Sequence, residues 1–219
     1  MCNEFPNSNF QTLKSRVLFE NCKLKIMSRQ VVVIAGPSGS GKNAVIGEIL
    51  KRYSNCARLV TATTRAKRAG EEDGVDYYFF TQEKFDEELA NGNIPEHRFV
   101  PALGTYYGTY LPALEKGLAE GKIIFAQVDI VGAKLLKERY GAVTIFIMPE
   151  SIEQFKARLH ARNPEWAQTE FSARMRITED EMRLHSPQYD YRVVNADGKL
   201  EATVEDVVEI LQKEGYTLQ

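Results

Sequence analysis

One stretch limits what this chain can fold into more than any other: Val31-Val32-Val33-Ile34-Ala35-Gly36-Pro37-Ser38-Gly39-Ser40-Gly41-Lys42-Asn43. Its first five residues are uniformly apolar rather than alternating, which predicts a parallel strand buried on both faces. From Gly36 to Lys42 the chain spells G-x-x-x-x-G-K, and after Lys42 the apolar positions Val45, Ile49 and Leu50 recur at helical spacing. Strand, glycine loop and helix together form the context of a phosphate-binding loop. Glycines let successive N–H groups turn inward on an anion, the helix adds its positive dipole end, and Lys42 adds a mobile cation. Gly36, Ser38, Gly39, Ser40, Gly41, Lys42 and Asn43 are therefore the expected nucleotide phosphate site.

At 219 residues the chain can bury one good core with inserted subdomains, and 43% hydrophobic with 26% charged residues is the balance of a soluble globular protein. A net charge of −2 argues against sequence-independent binding of nucleic acid. No apolar stretch is long enough for a membrane span. Three cysteines at positions 2, 22 and 56 have neither pairing number nor metal spacing, which points to a reducing, cytoplasmic setting. Residues 1–26 read as an N-terminal extension, expected to be disordered, and the folded unit is expected over 27–219.

Further along, Ala57–Ala62 predicts a second strand, 63–74 a polar loop, and Val75–Phe80 a short aromatic strand. A helix over Gln82–Asn91 and an irregular stretch over Gly92–Gly108 follow. Pro112 opens another helix, and Lys122–Asp129 and Val143–Met148 read as buried strands. Ser151-x-x-Gln154 is a capping box before a helix carrying Arg158 and Arg162. A long charged helix over Thr169–Leu184, a strand over Tyr191–Val194 and a helix over Thr203–Lys213 complete the pattern. Alternating strands and helices imply an α/β fold with a doubly wound parallel sheet, its ligands beyond the strands' carboxyl ends.

Several motifs in fixed order carry a resemblance. Besides the glycine loop they are Thr63-Thr64-Arg65 with Arg68-Ala69-Gly70-Glu71, Gly74-x-Asp76-Tyr77-x-Phe79 and Tyr107-Gly108-Thr109. Asp129 with Gly132, Arg158-Leu159-x-x-Arg162, Tyr189-Asp190-Tyr191 and Val194-Asn195 continue the series. From Met27 to the C-terminus the sequence resembles the guanylate kinases, P-loop enzymes that move a phosphoryl group from ATP to GMP. The resemblance implies a P-loop kinase core over 27–60, 111–157 and 186–219, a GMP-binding insertion over 61–110 and a helical lid over 158–185. It implies ATP and Mg²⁺ as the cofactors, GMP as the acceptor, and a monomer or homodimer.

Matched residue by residue, the resemblance assigns Arg65, Arg68, Tyr77 and Tyr107 to the acceptor phosphate, which arginine forks suit. Glu96 falls at the guanine-reading position, where a carboxylate can accept from both N1–H and the 2-amino group. Thr61, Thr109 and Asp129 join it in the base pocket. Arg158, Arg162 and Arg174 match arginines that close over the exchanged phosphates, with Arg176 competing for the third position. Asn195 matches a position near adenine. Mg²⁺ would be approached by Asn43 and, through water, by Asp129. Two departures stand out: Asn43 replaces the usual hydroxyl residue, and Gln127 replaces an expected aspartate. The ten residues 97–106 between Glu96 and Tyr107 are also more than the family pattern has, and 97–104 are unlike it. The rival reading is a non-catalytic guanylate kinase-like module that binds nucleotides or phosphopeptides; such modules typically lack the loop lysine. A relative acting on a ribose bisphosphate would need neither Glu96 nor Thr61.

Overall fold

A computed structural model of the protein describes residues 29–101, 103–162, 164–165 and 167–219; the side chains of Arg162 and Arg174 lie outside it, as does the expected extension over 1–26. In chain order its elements begin with β1 (Val31–Ala35), α1 (Lys42–Arg52), β2 (Cys56–Arg58), β3 (Ala62–Thr63) and β4 (Tyr78–Phe79). Next come α2 (Gln82–Ala90), β5 (His97–Val100), β6 (Thr105–Gly108), α3 (Leu111–Ala119), β7 (Ile123–Ala126) and α4 (Ile130–Tyr140). The chain ends with β8 (Val143–Pro149), α5 (Ile152–Arg162), α6 (Gln168–Asp180), β9 (Tyr191–Asn195) and α7 (Leu200–Lys213).

Five strands in the order β2-β7-β1-β8-β9 form an all-parallel sheet. The apolar run of β1 works on both faces, as period-two geometry requires. Val32 and Ile34 pack with Val45, Ile46 and Ile49 of α1 and with Val204, Val207, Val208 and Leu211 of α7. Val31, Val33 and Ala35 pack with Leu111 and Leu114 of α3 and with Ala133 and Leu136 of α4. The result is a helix–sheet–helix sandwich with the expected α/β doubly wound architecture. Asp190 fastens the edge: its Oδ2 accepts from the Thr144 backbone N–H (3.1 Å) and hydroxyl (2.9 Å), and Lys137 pairs with its other oxygen.

A second, mixed sheet in the order β4-β3-β6-β5 stands beyond the carboxyl edge of the first, on a small core of Ala62, Phe85 and Ile94. Three sequence expectations are corrected here. The strand over Ala57–Ala62 is split: β2 pairs in the main sheet, and β3 starts the second one. The stretch 92–108 is no irregular loop but holds an antiparallel hairpin, with Arg98 opposite Tyr107 and Val100 opposite Thr105. Its turn is closed by Leu103 N–H to Val100 O and uses Gly104 at φ +61°. The strand over Lys122–Asp129 stops at Ala126, which frees 127–129 to project past the sheet edge. The long charged helix also changes character, from α through Asp180 to a π turn over Glu181–His185. Among the described residues no helix is long and apolar enough to cross a membrane.

Candidate active site

The loop from Gly36 to Lys42 is held from beneath. A Cβ on Gly36 would lie 2.2 Å from Ile147 O of β8, and one on Gly41 would lie 2.1 Å from Asn195 Nδ2. Gly41 is left-handed at the N-cap of α1 with no side-chain cap, so the first amides of α1 are left to face an anion. Lys42 Nζ arches back over the loop, donating to Gly36 O (2.6 Å) and Pro37 O (2.8 Å). Ser40 is fully buried and its hydroxyl has no hydrogen-bond partner among the described residues, an orphaned donor within the cradle.

Asn195, which the resemblance sets near adenine, is buried under the loop, donating to Ser40 O (2.9 Å) and accepting from the Thr203 hydroxyl (3.2 Å).

The segment 127–129 forms the floor between two cavities of about 200 and 220 Å³, one against Gly36 and Lys42, the other around Glu96. Asp129 caps α4, its Oδ1 accepting from Val131 N–H (2.9 Å) and Gly132 N–H (3.1 Å). Gln127 donates to Asn43 Oδ1 (2.7 Å) and accepts from Arg58 (3.2 Å). The two departures from the family pattern are thus bonded to each other.

Glu96 immediately precedes β5, with Thr61, Tyr77, Tyr107 and Thr109 around the same cavity. The buried Thr109 hydroxyl donates to Glu96 Oε1 at 2.5 Å and fixes the carboxylate's orientation. Burial pushes the Glu96 carboxyl above its ordinary value, and the nearby Asp129 charge adds to this, against the opposing Thr109 bond. Gly132 of α4 faces the same carboxylate: a Cβ there would meet Glu96 Oε1 at 3.0 Å and Val128 Cβ at 2.7 Å.

Beside this cavity Arg65 is clamped by Glu71 through Nη2 (2.7 Å) and Nη1 (3.1 Å), while its Nε donates to the Tyr107 hydroxyl (3.2 Å). Its guanidinium carbon lies 5.5 Å from the Tyr77 ring centroid, and Tyr77 meets Tyr107 edge-on at 5.8 Å. The Glu71 carboxylate also accepts from Arg68 N–H at 2.8 Å, which shapes the loop that carries the exposed Arg68 side chain. Arg158 donates to Asp197 at 2.9 and 2.6 Å and to Asn195 O at 3.1 Å, alongside the loop's support. Arg162 ends α5 and Arg174 lies in α6; their side chains are not among those described.

Sequence reasoning missed the Glu71 clamp, the Thr203 prop and the closeness of Gly132 to Glu96. It also missed Arg98, which lines both cavities together with Gln127, Val128 and Asp129. Arg98 comes into view only with β5: two residues along the strand from Glu96 is the same face.

Known proteins resemble this chain in sequence and fold over most of its length. The guanylate kinase family model matches residues 28–214. A guanylate kinase of Lactococcus lactis is 37% identical over 187 residues, 85% of this chain and 88% of its own. One of Chlorobium chlorochromatii is 37% identical over 182 residues, covering 82% of this chain and 93% of its own. The crystal structure of guanylate kinase from Anaplasma phagocytophilum superposes with a TM-score of 0.62 at 31% identity, covering 87% of this chain and 88% of that one. With a phosphate loop, a carboxylate-bearing second pocket and relatives matched over most of its length, this chain belongs to the guanylate kinase family.

Proposed function

We propose that the protein transfers the γ-phosphoryl group of ATP to GMP, giving ADP and GDP, as a cytoplasmic enzyme. The observation that carries this reading is the shared floor, Gln127–Asp129, between the phosphate-loop cavity and the Glu96 cavity. Two nucleotides bound there would meet phosphate to phosphate. Transfer then needs positioning and charge neutralisation rather than covalent help from the protein.

In this reading the loop amides, the orphaned Ser40 hydroxyl and Lys42 hold the ATP phosphates. Glu96, fixed by Thr109, accepts from guanine N1–H and the 2-amino group, with Thr61 and Asp129 completing the pocket. Arg65, Arg68, Tyr77 and Tyr107 hold the acceptor phosphate, with the Arg65 guanidinium positioned by Glu71 and the Tyr107 phenol. A GMP phosphate oxygen attacks the γ-phosphorus in line as the bond to the β-bridging oxygen breaks, and ADP leaves. Closure of a lid over 158–185 would bring Arg158, Arg162 and Arg174 over the phosphates and exclude water. The second sheet would serve as the GMP-binding insertion.

The donor set suits a hydrated Mg²⁺: Asp129 offers carboxylate oxygen and Asn43 an amide oxygen, all hard ligands beside the phosphate loop. Asn43 and, through water, Asp129 would hold it, and the ion would neutralise charge on the ATP phosphates.

The test is release of ADP with GMP, dGMP, AMP, CMP and UMP offered in turn. GMP is expected to exceed AMP by at least about a hundredfold in kcat/KM, since sites built on hydrogen bonds reject wrong partners by up to ~10⁴–10⁵. Equal use of AMP and GMP would sink the reading.

A further inference from the structure

The hairpin β5–β6 puts a second ionised group on the face that carries Glu96. Side chains alternate along a strand, so Arg98, two residues on, shares the face of Glu96, whereas His97 and Phe99 turn to the other side and pack on Tyr106. The antiparallel register sets Arg98 opposite Tyr107, whose hydroxyl is bonded to Arg65. Two successive cross-strand pairs therefore line the cleft. Glu96 with Thr109 faces the base position, and Arg98 with Tyr107 sits about 7 Å further along, a gap that the ribose of a bound nucleotide spans.

Several neighbouring arginines are committed: Arg65 to Glu71, Arg158 to Asp197 and Arg58 to Gln127. Among the described residues no hydrogen bond, ion pair or ring contact engages the Arg98 guanidinium, and its side chain is exposed on the cleft between the two cavities. An arginine left unpaired beside a phosphate loop and a tyrosine pair, on the wall common to both cavities, has the chemistry of a phosphate ligand.

We propose that Arg98 is a substrate-binding residue that grips the 5′-phosphate of the acceptor nucleotide from the side facing the phosphate loop. It would add a fork to the set formed by Arg65, Arg68, Tyr77 and Tyr107. This inference rests on the GMP-kinase reading. It also gives a purpose to the hairpin at which the sequence leaves its family's pattern.

The test separates phosphate from base. Affinities of GMP and of guanosine, which lacks the phosphate, are measured by calorimetry for the unmodified protein, Arg98→Ala and Arg98→Lys. Arg98→Ala should weaken GMP by at least about tenfold, the loss expected of a charged hydrogen-bonded contact, and leave guanosine within about twofold. Arg98→Lys, which keeps the charge and loses the fork, should fall between. Equal losses for GMP and guanosine would show that Arg98 only shapes the pocket, and no loss for either would show that it does not reach the ligand; each overturns the proposal. Unmodified protein that binds GMP no better than AMP would overturn the GMP reading itself and this proposal with it.

Discussion

In the phosphate loop the ligand-facing groups are backbone amides, locked by buried neighbours. Around Glu96 they are side chains on a thin mixed sheet, tethered to one another. Gly36 and Gly41 have no space for a methyl group because Ile147 O and Asn195 press against them. Glu96 is instead held by Thr109, and Arg65 and Tyr107 by a short chain of side-chain bonds that starts at Glu71. A site made of main chain loses function in one step when disturbed, whereas one made of tethered side chains loses it by degrees and changes preference on the way. In the proposed reading, binding energy on the first side is indifferent to the base and discrimination lives on the second.

The largest expected effect breaks the first side. Lys42→Ala should lower kcat by at least about 10³, the scale of a lost cation at a transferring phosphoryl group, with GMP affinity unchanged. Single-turnover rates and a GMP titration on the same variant check both halves; a rate within tenfold of the original would contradict the assignment.

Next in size is Glu96→Gln, which should erode the preference for GMP over AMP by about a hundredfold while ATP binding stays intact. The same variant carries a stability signature. Burial raises the Glu96 carboxyl above 4.5, so between that value and the folded-state pKa the native protein retains a proton that the unfolded chain has lost. Stability therefore falls as pH rises through this window, and the penalty persists above it. Glu96→Gln should melt higher than the original at pH 7–8, with the gain shrinking as pH drops toward 4.5. A gain that grows on acidification would reverse the sign and refute the account.

This division also governed what the sequence could tell. The loop and the parallel sheet were legible because buried strands leave unbroken apolar runs and glycines at fixed spacing leave an unmistakable signature. The hairpin of β5 and β6 was not, because Tyr106 and Tyr107 hide the alternation: both are half-buried, one against Phe85 and the other facing the cleft. The break between β2 and β3 left no mark either, since Leu59 continues one backbone bond to Phe125 O before the chain changes sheets. Among site residues, Glu96 and the arginines came from motif order. The clamp by Glu71, the burial of Asn195 and the closeness of Gly132 to Glu96 depend on contacts between distant segments, which no local spacing encodes.

Gly132→Ala sharpens the comparison at the seam where helix and pocket touch. Its new carbon would press Glu96 Oε1 at 3.0 Å and Val128 Cβ at 2.7 Å, so carboxylate or helix has to shift. A shift of a few tenths of an ångström misaims two hydrogen bonds to guanine. KM for GMP should rise about tenfold while KM for ATP holds, in keeping with one weakened charged contact. Parallel losses for both nucleotides would mean that α4 itself had moved, and the seam would not be local.

The smallest expected effect lies where the two sides meet, at the pair Asn43–Gln127. Asn43 Oδ1 accepts from Gln127, and Gln127 Oε1 accepts from Arg58, so both amide oxygens already carry a hydrogen bond. Compared with the hydroxyl and carboxylate that the family pattern leads one to expect, the pair lacks a full negative charge and adds a competing donor. Magnesium favours carboxylates and water around nucleotide phosphates, and the carboxylates lining the phosphate-loop cavity are Asp129 and Glu181. Catalysis should persist but require more free Mg²⁺. Gln127→Asp alone restores the charge beside Arg58, which would pair with it and mask part of the gain. Asn43→Ser with Gln127→Asp should lower the Mg²⁺ concentration at half-maximal rate by about threefold, the scale of one partly screened charge. Calorimetric titration of Mg²⁺ into the ATP complex should shift the same way. If the doubly substituted protein keeps the original Mg²⁺ dependence in both measurements, the amide pair is merely a packing solution and the metal's charge is balanced elsewhere.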